Sequence, residues 1–227
     1  LQESDRHLPR SSPVKPKKQR ARAAVFRLAD GIAALKAGEL VVYPTETFYA
    51  VGADAGSSAA LRRLFRAKGR EPGRPVGLIA ADTAMAFSVA REIPTDARRL
   101  AGAFWPGPLT IVLPARDDLA PELTGPDGAS VRVSPNPVAR ALSAGIGRPI
   151  TATSANLSGD APASTLDEAR GALREKVKVY LEGGKLAASA PSTVVAVGAD
   201  GSGWKMVRVG AISEDQIAAV LAGDALK

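Results

Sequence analysis

The sequence predicts a single α/β domain built on an open, twisted mixed β-sheet flanked by helices. Three observations predict it. Segments of helical and strand periodicity alternate irregularly along the chain, which suits a mixed sheet better than a regular βαβ repeat. Hydrophobic residues make up 45% and charged residues 23% of 227 residues, the balance of a globular chain with a core of its own. No apolar run approaches the roughly 18 residues that a membrane-spanning helix needs.

The elements follow in order. Residues 1–22 carry three prolines, many charges and little periodicity, so they are expected to be a disordered basic tail ahead of a catalytic domain over 23–227. Ala24–Ala37 has helical spacing and stops at Gly38. Leu40–Tyr43 is a short strand ended by Pro44. Ser58–Ala67 is a helix that Ser57 or Ser58 caps. Val76–Ala80 is a strand, and Thr83–Arg91 and Thr95–Phe104 are helices parted by Pro94. Leu109–Leu113 and Ser130–Val133 are strands. Asn136 caps a helix from Pro137 to Ala144, with proline at its permitted first-turn position. Pro149–Thr153 is a strand opening into a polar loop. Thr165/Glu168 and Ser213/Gln216 have capping-box spacing and start two further helices. Val177–Leu181, Ser192–Val197 and Lys205–Val209 complete the strands. There is no internal repeat.

Composition also narrows the chemistry. Cysteine is absent, and the one histidine is His7, in the tail. Disulfides, thiolate metal sites, cysteine nucleophiles and a Ser-His-Asp triad are excluded or very poorly supplied. The net charge of +7 is uneven. Residues 1–27 hold eight basic and two acidic residues, and the remainder holds 22 against 21. The basic tail invites contact with RNA or an anionic surface, although a solvated extension is the plainer reading. No apolar stretch follows its charges, so it is not a secretory signal, while its arginines keep a transit peptide open. Cytoplasm is the expected location, with a mitochondrial or plastid matrix as the alternative.

Three motifs can carry chemistry. Pro44-Thr45-Glu46-Thr47 to Gly52 gathers hydroxyls and one carboxylate at a strand end, where open sheets place ligands. Its hydroxyls suit an amino acid or a sugar, and Glu46 could orient an ammonium group. Lys68-Gly69-Arg70-Glu71-Pro72-Gly73-Arg74 sets three cations beside glycines, a polyphosphate-binding combination without the spacing of a Walker loop. Thr151 to Gly159 runs from a strand into small hydroxyls and an amide. Ser154 and Asn156 would point the same way if the strand alternation persists. Each could also be an ordinary polar turn. Arg132 inside an apolar strand needs an anionic partner, and Arg208 is equally suited to a carboxylate or a phosphate.

Taken in order from Pro44-Thr45-Glu46-Thr47 to Arg208-Val209-Gly210, these motifs resemble the YrdC family of threonylcarbamoyl-AMP synthases. Lys68-Gly69-Arg70 and Ser154-Ala155-Asn156 resemble its Lys-x-Arg and Ser-x-Asn signature. Trp105-Pro106-Gly107-Pro108-Leu109-Thr110 and Ser192-Thr193-Val194-Val195 fit between and after them. The resemblance spans about residues 25–222 and suggests the single-domain form. It implies a YrdC-like fold and a nucleotidyltransferase that joins L-threonine, bicarbonate and ATP, with Mg²⁺ on the nucleotide. It also implies a tRNA-modifying threonylcarbamoyl transferase acting downstream. By resemblance, Lys68 and Arg70 are catalytic. Lys68, Arg70, Arg74, Asn156, Ser164 and Arg208 bind the nucleotide, and Thr47, Arg132, Ser154 and Ser192 bind threonine. No protein-held metal site and no membrane are implied. The sequence departs from the family at Arg74-Pro75-Val76, where Asn-Pro-Leu is common, at Ile79, near the place of a histidine in some members, and at Val209, where proline is common. A non-catalytic RNA-binding module is the alternative reading, weakened by only 4% aromatic residues.

Overall fold

The computed structural model describes residues 27–71, 73–187, 190–199 and 202–223. The expected disordered tail over 1–22 lies outside the described residues.

Two ladders of strands form the frame. In chain order the strands are β1 (Val41–Tyr43), β2 (Ala50–Gly52), β3 (Leu78–Ala80), β4 (Leu109–Leu113), β5 (Thr124–Gly125), β6 (Gly128–Val133), β7 (Ile150–Thr151), β8 (Thr153–Ser154), β9 (Val179–Tyr180), β10 (Thr193–Val197) and β11 (Trp204–Arg208). One ladder runs β8-β2-β1-β9, and the other runs β11-β10-β4-β6-β3-β7 with β5 paired to β6. Both mix parallel and antiparallel pairs, as the irregular alternation of elements predicts.

The segment Ile150–Ser154 joins the ladders. Pro149–Thr153 was expected as one strand, and the chain instead forms two over Ile150–Ser154, because it changes partners at Ala152. Ile150 and Thr151 pair with β3, whereas Thr153 and Ser154 pair with β2. Thr151 N donates to Ala53 O at 3.0 Å, and Ala152 N donates to Gly77 O at 2.7 Å. The segment is therefore hydrogen-bonded to both sides and forms a seam.

The helices are α1 (Leu28–Lys36), α2 (Ser58–Lys68), α3 (Thr83–Phe87), α4 (Thr95–Phe104), α5 (Pro137–Ile146), α6 (Leu166–Leu173) and α7 (Glu214–Ala222). The caps are those the sequence calls for. Ser57, Asn136, Thr165 and Ser213 each accept a backbone N–H of the first turn. α2 ends on Gly69 in the left-handed conformation, at φ 60°. Helix α3 stops at Phe87, short of the expected Arg91, because the chain turns to make a bridge between Ala90 and Ala115.

Three apolar clusters pack these layers. Helices α3, α4 and α7 cover one face of the larger ladder through Ala86, Ala97, Leu100 and Ile217. α2 and α6 pack on the smaller ladder through Leu64, Ala67, Leu166 and Leu173. α1 and α5 close the space between through Leu35, Ala139 and Leu142. Ile79, at the place of the expected family histidine, is fully buried in that last cluster with Tyr43 and Ile150. Its position belongs to the core. The other face of the larger ladder, beyond that cluster, is left for a cleft.

Candidate active site

The cleft lies where the seam brings the two ladders together, and encloses about 420 Å³. Strand alternation builds its larger wall. Leu78, Val131, Ile111 and Val195 point into the helix-covered core. Their in-register neighbours Ser130, Arg132, Thr110 and Val194 point the other way and line the cleft.

Arg208 reaches the same wall through a β-bulge. Val194 pairs with Arg208 but Val195 pairs with Met206, so Val207 is an extra residue on β11. Trp204 and Met206 pack on the core face, and uninterrupted alternation would send Arg208 there too. The extra residue resets the phase and turns Arg208 into the cleft. There its Nη2 donates to Ser192 O at 2.8 Å and to Ser192 Oγ at 3.1 Å, and Ser192 Oγ lies 3.1 Å from Thr110 Oγ1.

The opposite wall is the turn after β1. Thr45 Oγ1 donates to Phe48 O at 2.7 Å and accepts from Thr47 N at 3.2 Å and Phe48 N at 3.3 Å, folding the motif around one buried hydroxyl. Thr47 is 6% exposed and lines the cleft with Thr45 and Ser154. Glu46, considered as an ammonium ligand, instead pairs with Arg132. Its Oε1 lies 2.5 Å from Arg132 Nη1, and its Oε2 accepts from Ser134 Oγ.

Of the residues singled out from the sequence, Thr47, Arg70, Arg132, Ser154, Ser192 and Arg208 converge on this cleft. The other four do not line it. Lys68 lies behind its wall, 2% exposed, and donates to Ser154 O at 2.5 Å and Asn156 O at 2.7 Å. Asn156 Nδ2 donates to Leu157 O at 2.9 Å and Asp160 O at 2.6 Å, while its Oδ1 is buried without a partner among the described residues. Strand β8 ends at Ser154, so the alternation that was to align Ser154 with Asn156 is not there. Ser164 precedes the Thr165 cap of α6, and its N and Oγ donate to Glu168 Oε2 at 2.7 and 3.1 Å. Arg74 lies in a separate groove beside Phe65, and Arg70 borders both spaces.

Sequence reasoning quoted Thr110 and Ser130 without giving them a role. Counting alternate residues outward from Arg132 and Val194 would have found them. It also missed the pairing of Glu46 with Arg132, 86 residues apart, which no local pattern announces.

The electrostatics are those of an anion site. Burial, and then the charge of Arg70, lowers Lys68 to about 8. Burial also lowers Arg208, helped by the charge of Arg132, and lowers Arg70, helped by the charge of Arg74. Crowded, desolvated cations gain most from an anion between them. Among the described residues, no group of three or more His, Cys, Asp or Glu side chains could hold a metal ion. The cleft offers hydroxyls, backbone groups and guanidinium donors.

Known proteins resemble this chain in sequence and in fold. Residues 33–210 match the model of the Sua5/YciO/YrdC family, described as "Telomere recombination". A Mycobacterium tuberculosis relative is 38% identical over 208 residues, covering 91% of this chain and 93% of its own. A Bacillus subtilis protein named threonylcarbamoyl-AMP synthase is 34% identical over 197 residues, which is 86% of this chain and 56% of that one. The structure of Pyrococcus abyssi Sua5 complexed with L-threonine superposes with a TM-score of 0.78 at 32% identity, covering 87% of this chain and 59% of the other. This chain therefore spans a little over half the length of those last two proteins.

Proposed function

The chain belongs to the Sua5/YciO/YrdC family, and on that premise we propose that it is an enzyme that forms threonylcarbamoyl-AMP and pyrophosphate from L-threonine, bicarbonate or CO₂, and ATP. That makes it a nucleotidyltransferase, an L-threonylcarbamoyladenylate synthase. One observation of its own structure carries the reading: three guanidinium groups, Arg70, Arg132 and Arg208, converge on one cleft lined with threonine and serine hydroxyls. The relative named threonylcarbamoyl-AMP synthase and the L-threonine complex of a structural neighbour support it. Neither lends support to a non-catalytic RNA-binding module.

The chemistry follows from charge. Threonine's amine and bicarbonate form a carbamate with loss of water. A carbamate oxygen then attacks the α-phosphorus of ATP, the bond to the β-phosphate oxygen breaks, and pyrophosphate leaves. Both reactants are anions, so the encounter is repulsive in water. Arg132 binds the threonine carboxylate, with Thr47, Ser154 and Ser192 around the amino acid. Arg70 and Arg208 take the phosphates. Lys68 acts from behind, holding the Ser154–Asn156 backbone in place and adding positive potential. Magnesium, the ion expected with ATP, would enter on the nucleotide and offset the charge of its phosphates, since among the described residues the cleft lining offers hydroxyls and no carboxylate. Holding the carbamate in line with the α-phosphorus is worth on the order of 7 kcal/mol. Stabilising the charge that develops there adds to it. The product is an activated acyl donor for adenosine modification in tRNA, and a tRNA-modifying transferase consumes it. Among the described residues, no helix is long and apolar enough to cross a membrane.

The test is pyrophosphate release with threonine and bicarbonate omitted in turn. Release that requires both, with a product containing AMP and carbamoylated threonine, is the expected result. Release that ignores threonine, or none from folded protein, overturns the reading.

A further inference from the structure

The three arginines of the cleft are not electrically equivalent. Arg132 is paired with a carboxylate, at 2.5 Å from Glu46, and the two side chains are 9% and 15% exposed. Glu46 cannot swing away easily, because its second oxygen accepts from Ser134 Oγ. Ser134 is fully buried, and its Oγ also accepts from Asn136 N at 3.1 Å, at the cap of α5. Arg70 and Arg208 have no carboxylate partner among the described residues. They donate to the backbone carbonyls of Arg74, Pro75 and Ser192 and to the Ser192 hydroxyl.

Position sharpens the difference. Arg132 lines the cleft, and Glu46 stands behind it. Among the described residues only Nη1 of Arg132 has a protein partner, and its other guanidinium nitrogens are not among the buried atoms left without one. They reach the open cleft. One corner thus offers directional N–H donors on a neutral ion pair, and the other two offer uncompensated charge.

The two anions to be sorted differ in the same way. The triphosphate of ATP and free pyrophosphate carry several negative charges and follow net potential. An amino-acid carboxylate carries one charge and is recognised as well by the planar fork of an arginine. We propose that Glu46 is a specificity-determining residue that reserves Arg132 for the threonine carboxylate by keeping polyphosphate off it. This rests on the proposed reaction. Glu46 acts through Arg132, so it is a positioning and screening group.

The test is Glu46→Gln, which keeps the size of the side chain and an acceptor for Arg132 and removes the charge. Threonine and pyrophosphate are titrated by calorimetry into wild type and variant, singly and against each other. In the wild type, pyrophosphate and threonine bind together. In the variant, pyrophosphate binds at least tenfold more tightly and displaces threonine, and in turnover it becomes a competitive inhibitor against threonine. An unchanged pyrophosphate affinity with no competition overturns the proposal and makes Glu46 a plain strut. Should the variant fail to fold, the wild type still decides, because pyrophosphate that displaces threonine from it overturns the proposal equally. A wild type that binds neither ligand removes the proposed reaction itself, a result distinct from both.

Discussion

On the proposed reading, Lys68 serves the site without lining it. It is 2% exposed, and its ammonium bonds two carbonyls on the loop after β8. Burial lowers it to about 8 in the folded protein from an ordinary 10.5. The sign of the consequence is fixed. Between about pH 8 and 10.5 the unfolded chain holds this proton more often than the folded one, so this group makes stability rise with pH across that window. The full difference is on the order of 3 kcal/mol. Denaturant unfolding at pH 7.5 and pH 10 should show that rise in the wild type and lose it in Lys68→Met. The neutral amine keeps two N–H groups for the two carbonyls, so deprotonation removes charge while the loop stays tied. Nucleotide affinity should therefore fall as pH rises through about 8, and that step should be missing in Lys68→Met. The same variant leaves two buried carbonyls without donors, and pyrophosphate release should drop at least about 100-fold, roughly the 3 kcal/mol that two lost charged hydrogen bonds are worth.

At the scale of the element, the bulge on β11 sets what the strand can do. Val207 is 48% exposed and packs little, so Val207→Ala should change stability by less than about 0.5 kcal/mol. Deleting Val207 is a different experiment. It removes the extra residue and leaves Arg208 next after Met206, opposite Val194 and still on the cleft side, so ATP kcat/KM should fall by less than about tenfold. A loss of about 100-fold or more would show that the twist of the bulge, and not the residue count, aims Arg208. The turn that follows is held by Thr193. Its fully buried Oγ1 donates to Ile212 O at 2.6 Å and accepts from Gly210 N at 3.0 Å and Ile212 N at 2.9 Å. Thr193→Val should cost about 2 kcal/mol or more in denaturant unfolding, because three backbone groups lose their partner. Gly210 admits no side chain, since a Cβ would stand 2.1 Å from Pro191 O. Elements of this kind divide by how local their cause is. The caps at Ser57, Asn136, Thr165 and Ser213 and the strands β4, β6 and β10 were legible because a cap or an apolar run is written within a few residues. Strand β2 was missed because its three residues lie inside the motif from Pro44 to Gly52 that reads as a polar turn, whereas the equally short β1 is announced by the apolar run Leu40–Tyr43. The bulge, the change of partner at Ala152 and the pairing of Glu46 with Arg132 depend on which distant strand lies alongside. The site was legible as a set of motifs for the same reason, and illegible in which of their side chains face the cleft.

For the whole molecule, the placing of the cleft on a seam makes ligand binding a mechanical matter. Thr45, Thr47 and Ser154 belong to the smaller ladder and its turn, while Arg132, Thr110, Ser192 and Arg208 belong to the larger one. The ladders have separate apolar supports, and the hydrogen bonds of Ile150–Ser154 with the cluster of α1 and α5 hold them together. A ligand that touches both walls adds contacts across the junction, and the first to bind holds the walls where the second needs them. Binding to the native state alone stabilises by about 2.7 kcal/mol at 100 times the dissociation constant, worth about 5–10 °C in a domain of this size. Independent ligands would add their shifts. Ligands that both span the seam should exceed the sum, because the cost of fixing the walls is met once. The measurement is thermal unfolding with L-threonine, with an ATP analogue carrying a methylene between the α- and β-phosphates, and with both, since that analogue cannot release pyrophosphate. A joint shift above the sum of the two is the expected outcome. A joint shift equal to the sum would mean that each wall is already rigid and that the seam transmits nothing from one substrate to the other.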